Sequence, residues 1–382
     1  MDVKQMNAVD LMTTLSVIYD PRQQWKVEHK LVDILILTIC GVIAGCEGWE
    51  EIEDFGNERL DWLKQYGDFE NGVPSHHTIA RVVAVVNPKK FQTCFIEWMK
   101  ACHKISNGEI IAIDGKTVRS SYDKSKDKGA IHMISAFSAA NELVLGQIKV
   151  NAKSNEITAI PELLELLEIR GCLVTIDAMG CQRDIAQKIV EKEADYLLAV
   201  KGNQGKLHEA FKKHFFMEKI NQWEGDSFKT TEKSHGRLEI RQHIVSDIFD
   251  EFVNLSFDWK GMKTLGVVMS ARMDEETFDL DKISIRYYIS SAVLTAEDLA
   301  NAARSHWAIE NKLHWKLDVA MNEDDCRIRR KNAAEMLSGF RHVAVNMLNN
   351  TKTFKAGLKR KQKKAAMSTR YLSEVLAGCG VS

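Results

Sequence analysis

The sequence predicts an α/β protein: a mixed sheet carrying a largely β insertion, preceded by a small all-α N-terminal domain. Three observations predict it. Residues 1–106 place apolar residues at helical spacing, apolar runs of strand length then follow one another from Glu109, and helix-like and strand-like stretches alternate as far as Lys201.

In the N-terminal part, an apolar helix starts at Leu31, a Trp-rich amphipathic stretch runs from Trp49 to Trp62, and another covers 88–103. Between the last two, Asn71-Gly-Val-Pro-Ser-His-His-Thr78 reads as a turn at Gly72 and Pro74, with Ser75 or Thr78 placed to cap the next helix. The apolar run 31–45 contains Asp33 and falls short of the ~20 residues a membrane span needs, so it is expected to be a buried core helix. The chain is not expected to enter a membrane.

The pattern changes at Glu109-Ile-Ile-Ala-Ile-Asp-Gly115. Two further strand-like runs, 132–140 and 143–150, are split by the turn pair Asn141-Glu142 and suggest an antiparallel meander. A helix over 157–168 behind Ser154, a strand over 171–177, a helix over 182–194 and a strand over 195–201 complete the order β-β-β-α-β-α-β. That is the order of an RNase H-like core. Residues 202 to 293 open with a helix rich in Lys and Phe and continue with β-like runs at 238–246, 263–269 and 284–291, read as an insertion before a final helix. The expected domains are therefore 1–106, a core domain over 107–350 with its insertion, and a basic tail over 351–382.

Composition narrows the function. A chain of 382 residues, 45% of them hydrophobic, can bury a large core and is not disordered. A net charge of −1 excludes a uniformly basic nucleic-acid binder, so contact with a polyanion must come from local patches. Such a patch exists from Arg327 onward, where 13 Lys and Arg face only Glu335 and Glu374, a local charge of +11. The 8 cysteines form no C-x-x-C pair and read as buried reduced thiols. Residues 1–12 carry Asp2 and Asp10 without an apolar stretch, so no secretory signal is expected and the expected compartment is the cytoplasm.

Two segments share a shape: Ile111-Ala-Ile-Asp114-Gly115 and Val174-Thr-Ile-Asp177-Ala178 each end an apolar strand on an Asp followed by a small residue. As parallel neighbours, the strands would deliver both carboxylates to one sheet edge, where open α/β sheets place ligands. The third candidate is Glu310, on a helix opened by Thr295 with Asp298 as its capping-box partner. At ~100° per residue, Leu299, Ala303, Leu313 and Leu317 form one apolar stripe, and Glu310 falls inside it. An ionised carboxylate there calls for a cation, and a divalent metal bridging Asp114, Asp177 and Glu310 would supply one. Oxygen donors without thiolate suit Mg²⁺ or Mn²⁺, and two such ions ~3.5 to 4 Å apart could activate a water or a 3′-hydroxyl for in-line displacement. The competing patterns are weaker. Each Asp taken alone is an ordinary turn residue, the group Asp318, Glu323, Asp324 and Asp325 reads as a solvated helix end from which Asp318 or Asp324 could replace Glu310, and His306, Glu310 and His314 form a zinc-like stripe with the wrong spacing.

At these residues the chain resembles the H-repeat-associated transposases, the Rhs-linked branch of the DDE insertion-sequence transposases, over nearly its whole length. The resemblance is carried by Ile111-Ala-Ile-Asp-Gly-Lys-Thr117, Lys153-Ser-Asn-Glu-Ile-Thr-Ala-Ile-Pro161, Thr175-Ile-Asp-Ala-Met-Gly-Cys-Gln182, Ala199-Val-Lys-Gly-Asn-Gln204, Ser234-His-Gly-Arg237 and, most of all, His306-Trp-Ala-Ile-Glu-Asn-Lys-Leu-His-Trp315 with Leu317-Asp-Val and Asn322-Glu-Asp-Asp325. It implies that Asp114, Asp177 and Glu310 are the DDE triad. It also implies Mg²⁺-dependent cleavage at element ends, joining of the freed 3′ ends to target DNA, and a homodimer holding two ends. Two places depart from the pattern: His77 stands where the family usually has Asp, and Ala303 and His306 stand where many related transposases have Tyr and Arg.

DNA contacts would come from Lys116 and Arg119 after the first Asp, Lys201 after the last core strand, Arg304, Lys312 and Lys316 around Glu310, and a second surface of Arg327, Arg329, Arg330 and Lys331 with the tail. Trp223 and Trp259 could stack on an extruded base, although a tryptophan in such a place is more often a core residue. Three functions stay open at this point: a transposase, a metal nuclease that no longer transposes, and an inactive DNA-binding relic.

Overall fold

The computed structural model describes residues 11–123, 129–151, 155–234, 237–274 and 280–378; Lys153 and Ser154 of the expected helix start, and His235 and Gly236, lie outside these. The chain opens with helices α1 (Leu11–Ser16), α2 (Leu31–Ala44), α3 (Trp49–Glu58), α4 (Leu60–Leu63), α5 (His76–Val83) and α6 (Pro88–Cys102). Helix α2 is buried along nearly its whole length, and Asp33 is accommodated because it accepts the backbone N–H groups of Asp68 (3.1 Å) and Phe69 (3.0 Å). Gly45 ends α2 at φ 94°, a left-handed conformation that favours glycine. Ser75 caps α5 and Asn87 caps α6, whose first residue is Pro88.

The α/β part follows as β1 (Ile110–Val118), β2 (Ile131–Ser138), β3 (Leu143–Lys149), α7 (Glu156–Leu166), β4 (Leu173–Ile176), α8 (Arg183–Glu191) and β5 (Asp195–Val200). Then come α9 (Gly205–His214), α10 (Met217–Asn221), β6 (Ser227–Ser234), β7 (Arg237–Asp247), α11 (Glu251–Ser256), β8 (Thr264–Asp274) and β9 (Leu280–Ser290). All the strands join one nine-stranded mixed sheet in the order β3-β2-β1-β4-β5-β9-β8-β7-β6. Strands β1, β4 and β5 are parallel, while β2, β3 and β6 to β9 pair antiparallel with their neighbours. The inserted strands thus extend the sheet through the β5–β9 pairing. Strand β6 was not anticipated because Ser-Phe-Lys-Thr-Thr-Glu-Lys-Ser is polar, which suits a sheet edge better than a core.

The chain ends with α12 (Ala296–Ala308), a π-helical turn over Ile309–His314, α13 (Trp315–Val319), α14 (Ala333–Asn350), α15 (Leu358–Met367) and α16 (Thr369–Ala377). Thr295 and Asp298 form the expected capping box. Helices α7, α8 and α9 cover one face of the sheet, and α12 packs on the other. The N-terminal helices share a single apolar core with α14, α15 and α16. Residues 358–377 are therefore two packed helices rather than a free basic tail. Counting charges hid the apolar stripe of Leu358, Ala365, Tyr371, Leu372, Val375 and Leu376, and Lys361 itself is buried, donating to the carbonyls of Leu348 (2.6 Å) and Thr351 (2.9 Å). Cys40, Cys46, Cys94, Cys172, Cys181 and Cys326 are free thiols. Among the described residues, no single helix is long and apolar enough to cross a membrane.

Candidate carboxylate site

Parallel pairing of β1 with β4 sets Ile113 opposite Ile176, so the next residues, Asp114 and Asp177, reach the same edge of the sheet. Strand β4 ends just before Asp177, as expected, whereas β1 runs on to Val118 with Asp114 paired opposite Ser135, so the expectation that Asp114 ends its strand is corrected. Asp177 Oδ1 accepts the N–H groups of Met179 (2.9 Å) and Gly180 (3.3 Å), folding the loop back on itself. Asn203 Nδ2 donates to the Ala178 carbonyl (2.7 Å) and Gln204 Nε2 to that of Cys181 (2.8 Å), which gives the Lys201-Gly-Asn-Gln204 string a concrete role in holding that loop. Gly115 is small for a packing reason: a Cβ there would collide with the Glu156 carboxylate and the His132 ring, which hydrogen-bond each other at 2.5 Å.

Glu310 is not where helical periodicity places it. It is exposed, whereas Leu299, Ala303, Leu313 and Leu317 are buried as expected, and Ile309 takes the buried position beside them. The cause is the π-turn, which widens the helix over Ile309–His314 and breaks the constant 100° advance between α12 and α13. Glu310 is thereby turned from the packed stripe toward the open edge. Lys312 (3.0 Å) and Lys316 (2.7 Å) both pair with Glu142 in the β2–β3 turn, which bolts this helical segment to the sheet.

Electrostatics ties the three acids together. The Asp114 carboxyl is pushed up to about 7 by burial and by the negative charges of Asp177, Glu310 and Glu156, against a hydrogen bond from the Gly115 backbone. Glu310 is also raised, by partial desolvation and by Asp177, with Arg286 opposing. His314 Nδ1 lies 3.7 Å from Asp114 Oδ2, and burial, with Lys116 and His342 nearby, pushes its pKa down to about 4, so it is a neutral imidazole. His306 shares a hydrogen bond with Thr175 Oγ1 (3.1 Å), and its pKa is lowered by burial although Asp177 raises it. Among the described residues no three His, Cys, Asp or Glu side chains are grouped closely enough to hold a metal ion, Asp114, Asp177 and Glu310 included. This leaves the zinc-like stripe unassembled. Mg²⁺ needs no closed cage, since it is usually held by one or two carboxylates with waters and phosphate completing its shell, and a hard, mutually repelling carboxylate set with one pKa near 7 fits such an ion.

The anticipated cations divide. Lys116 is nearly buried, with Nζ 2.7 Å from Asp318, 3.0 Å from Asp324 and 3.3 Å from Glu323, so the DNA contact expected of it is corrected to an internal ion network. For the same reason Asp318, Glu323 and Asp324 are not a solvated helix end, and Glu323 is 1% exposed. Arg329 is engaged by the Ser120 carbonyl (2.7 Å) and the Tyr122 ring. Arg119, Lys201, Arg304, Arg327, Arg330 and Lys331 are exposed, Arg119 while pairing with Asp324 and Arg304 with Glu232. Trp259 belongs to the core, and Trp223 donates to the Asp226 carbonyl (3.2 Å) and lies against Phe215. Arg286, whose guanidinium lies 5.0 Å over the Trp307 ring and whose charge reaches Glu310, was not legible in the sequence, because a strand arginine about 24 residues upstream carries no spacing signal.

Comparison with known proteins finds relatives over nearly the whole chain. Residues 105–347 match the transposase DDE domain, and residues 12–99 match the DDE_Tnp_1-associated family. The chain is 60% identical over 378 residues to "H repeat-associated putative transposase YhhI" of Escherichia coli (strain K12), covering 99% of this chain and 100% of that one. It is 66% identical over 79 residues to "Inactive transposase YbfQ" of the same strain, covering 21% of this chain and 94% of that one. A solved piggyBac transposase synaptic complex with hairpin DNA aligns with 94% of this chain and 77% of its own at a TM-score of 0.44 and 11% identity, too distant to define a shared fold. By the match over residues 105–347, the chain belongs to the transposase DDE domain family.

Proposed function

We propose that the chain is a DNA transposase with an RNase H-like core, which cleaves the ends of an insertion element and transfers them to target DNA as a homodimer. The observation that supports this most is the Asp114 carboxyl at about 7, raised by burial and by the like charges of Asp177, Glu310 and Glu156. Such a cluster is at odds with itself until a cation arrives. Asp114, Asp177 and Glu310 would hold Mg²⁺ or Mn²⁺, two ions in the full complex. When bound, they supply charge stabilisation of a phosphoryl group and an activated oxygen nucleophile.

The chain's own residues do the rest. The β1–β4 pairing sets the two aspartates side by side, and the Met179 and Gly180 N–H groups hold one oxygen of Asp177 and orient its carboxylate. Neutral His314 packs beside Asp114 without adding charge. The exposed Lys201, Arg327 and Arg330 would meet phosphates, with Arg119, Arg304 and Lys312 beside them on their pairs with Asp324, Glu232 and Glu142.

The test is incubation of the purified chain with the DNA flanking its gene and Mg²⁺ or Mn²⁺, followed by mapping of cut and joined ends. Discrete cleavage and joining, both lost in Asp177→Ala, are expected. Undiminished cleavage in that variant would remove the proposal. Cleavage without joining would reduce the protein to a nuclease, and DNA binding without cleavage would reduce it to a relic.

A further inference from the structure

Lys116 lies two residues beyond Asp114 on β1, so the pleat sends both side chains to the same face of the sheet. Its three carboxylate partners all come from the segment just downstream of Glu310: Asp318 in α13, then Glu323 and Asp324 in the turn after it. Glu323 is buried and also faces Arg341 of α14 (3.6 Å), itself 3% exposed, with buried His342 next to it. The backbone joins in. Ser120 N–H donates to the Asp324 carbonyl (3.1 Å), Arg119 N–H to Asp324 Oδ1 (3.3 Å), and Glu323 N–H to the Leu317 carbonyl (3.0 Å). One ammonium therefore clamps the strand of Asp114 to the chain that leaves the π-turn of Glu310.

Such a clamp has a physical reason to exist. A π-turn has poorer helical geometry than the α-helices flanking it, so it does not by itself fix the position of Glu310. Buried ions are seldom the most stable filling of a core, because well-packed apolar residues of similar volume do as well or better. Placing Lys116, Glu323 and Arg341 there has a geometric effect instead: charges that must stay paired admit only one register between β1 and the segment after α13. We infer that Lys116, with Glu323 and Asp324, is the positioning device of the carboxylate site, setting Asp114 relative to Glu310 for a divalent ion. This rests on the metal-site reading proposed above.

The experiment compares wild type, Asp177→Ala, Lys116→Met, Lys116→Arg and Asp324→Asn in the full-length protein. Two quantities are read with Mn²⁺ alone as the probe: the rise in melting temperature as Mn²⁺ is added, and the Mn²⁺ concentration that half-saturates it. Lys116→Met is expected to raise that concentration by about tenfold or more and Asp324→Asn by about threefold, as for residues that orient metal ligands. DNA affinity without metal stays unchanged, and Lys116→Arg recovers most of the loss. A folded Lys116→Met or Asp324→Asn that melts earlier yet keeps the wild-type half-saturation overturns the inference, leaving a structural bridge only. If Lys116→Met does not fold, Asp324→Asn decides, since its side chain is 22% exposed and tolerates the change. A wild-type Mn²⁺ response that is lost in Asp177→Ala but intact in Asp324→Asn sinks the positioning role alone. Absence of any wild-type response sinks the metal-site reading and this inference together.

Discussion

Two acidic clusters lie near Lys116 of β1, and their most buried acids, Glu323 in one and Asp114 in the other, are shifted in opposite directions, although Asp318 beside Lys116 is itself raised by desolvation. Asp318, Glu323 and Asp324 surround a resident ammonium, and the carboxyl of Glu323 is held below its usual range by Arg341 and Lys116 in spite of complete burial. Among the described residues, Asp114, Asp177 and Glu310 surround no side-chain ammonium of that kind, and Asp114, with 18% of its side chain exposed, is driven up to about 7. Burial alone cannot explain the difference, because the more buried acid is the one that stays ionised. What separates the clusters is whether the charge is already balanced from within the chain. A structural cluster brings its own counter-ion, while the other, on the reading proposed above, takes one from outside.

Breaking the balanced cluster should have the largest effect. Glu323→Gln leaves Arg341 and part of the charge on Lys116 uncompensated in the interior, and is expected to cost about 3 to 5 kcal/mol in urea unfolding at neutral pH. Because the Glu323 carboxyl is lowered in the folded state, its contribution is present above the ordinary carboxylate range and is lost as pH falls through its folded value. The wild type and the variant should therefore converge in acid. An unchanged midpoint for Glu323→Gln would mean that the ion network carries no net stability.

The unbalanced cluster should respond with the opposite sign. The folded-state pKa of Asp114, about 7, lies above its ordinary value of 3.8, so ionising it destabilises the metal-free protein as pH rises between those values. Asp114→Asn is expected to stabilise the metal-free protein at pH 8 by up to about 4 kcal/mol, at 1.36 kcal/mol per pKa unit, and to do nothing at pH 3.5. Thermal unfolding at the two pH values measures this. Saturating Mn²⁺ should reverse the order at pH 8, because the ion stabilises only the protein that can bind it. Wild-type Mn²⁺ affinity should in turn weaken as pH falls below 7, since a proton then competes for Asp114. A titration of Mn²⁺ at pH 6 and pH 8 checks that.

The contrast also separates what was legible in the sequence from what was not. Asp177 was legible because a strand end is a local pattern; the same pattern picked out Asp114 although β1 runs on past it to Val118, and the parallel pairing of β1 and β4 needed only their matching apolar runs. The nine-stranded sheet was legible strand by strand except at polar β6. Glu310 was found by a rule that its helix does not obey: constant helical periodicity puts it on the buried stripe, and the π-turn takes it off again. Lys116 was misread because no local pattern reveals that three acids about 200 residues downstream will close around it. The residues at 358–377 were misread for a related reason, since charge counted along a line says nothing about which face of a helix is apolar.

The smallest expected effects divide the surface cations from Lys116. Arg304 is 61% exposed and pairs with Glu232 at the sheet extension, so Arg304→Ala should change stability by only about 0 to 1 kcal/mol. Arg330→Ala, at an exposed position in the turn before α14, should change it no more. If these side chains neutralise phosphates, each substitution lowers DNA affinity uniformly across sequences and reduces the slope of log affinity against log salt by about one. Lys116→Met should do the reverse, shifting Mn²⁺ response and stability while leaving that slope untouched, because its ammonium is already enclosed by carboxylates and releases no counter-ion from DNA. Electrophoretic shifts over a salt series resolve the two cases. A reduced slope in Lys116→Met would place its charge on the DNA side after all, and the division between a balanced and an unbalanced cluster would then have to be redrawn around Asp318 and Asp324.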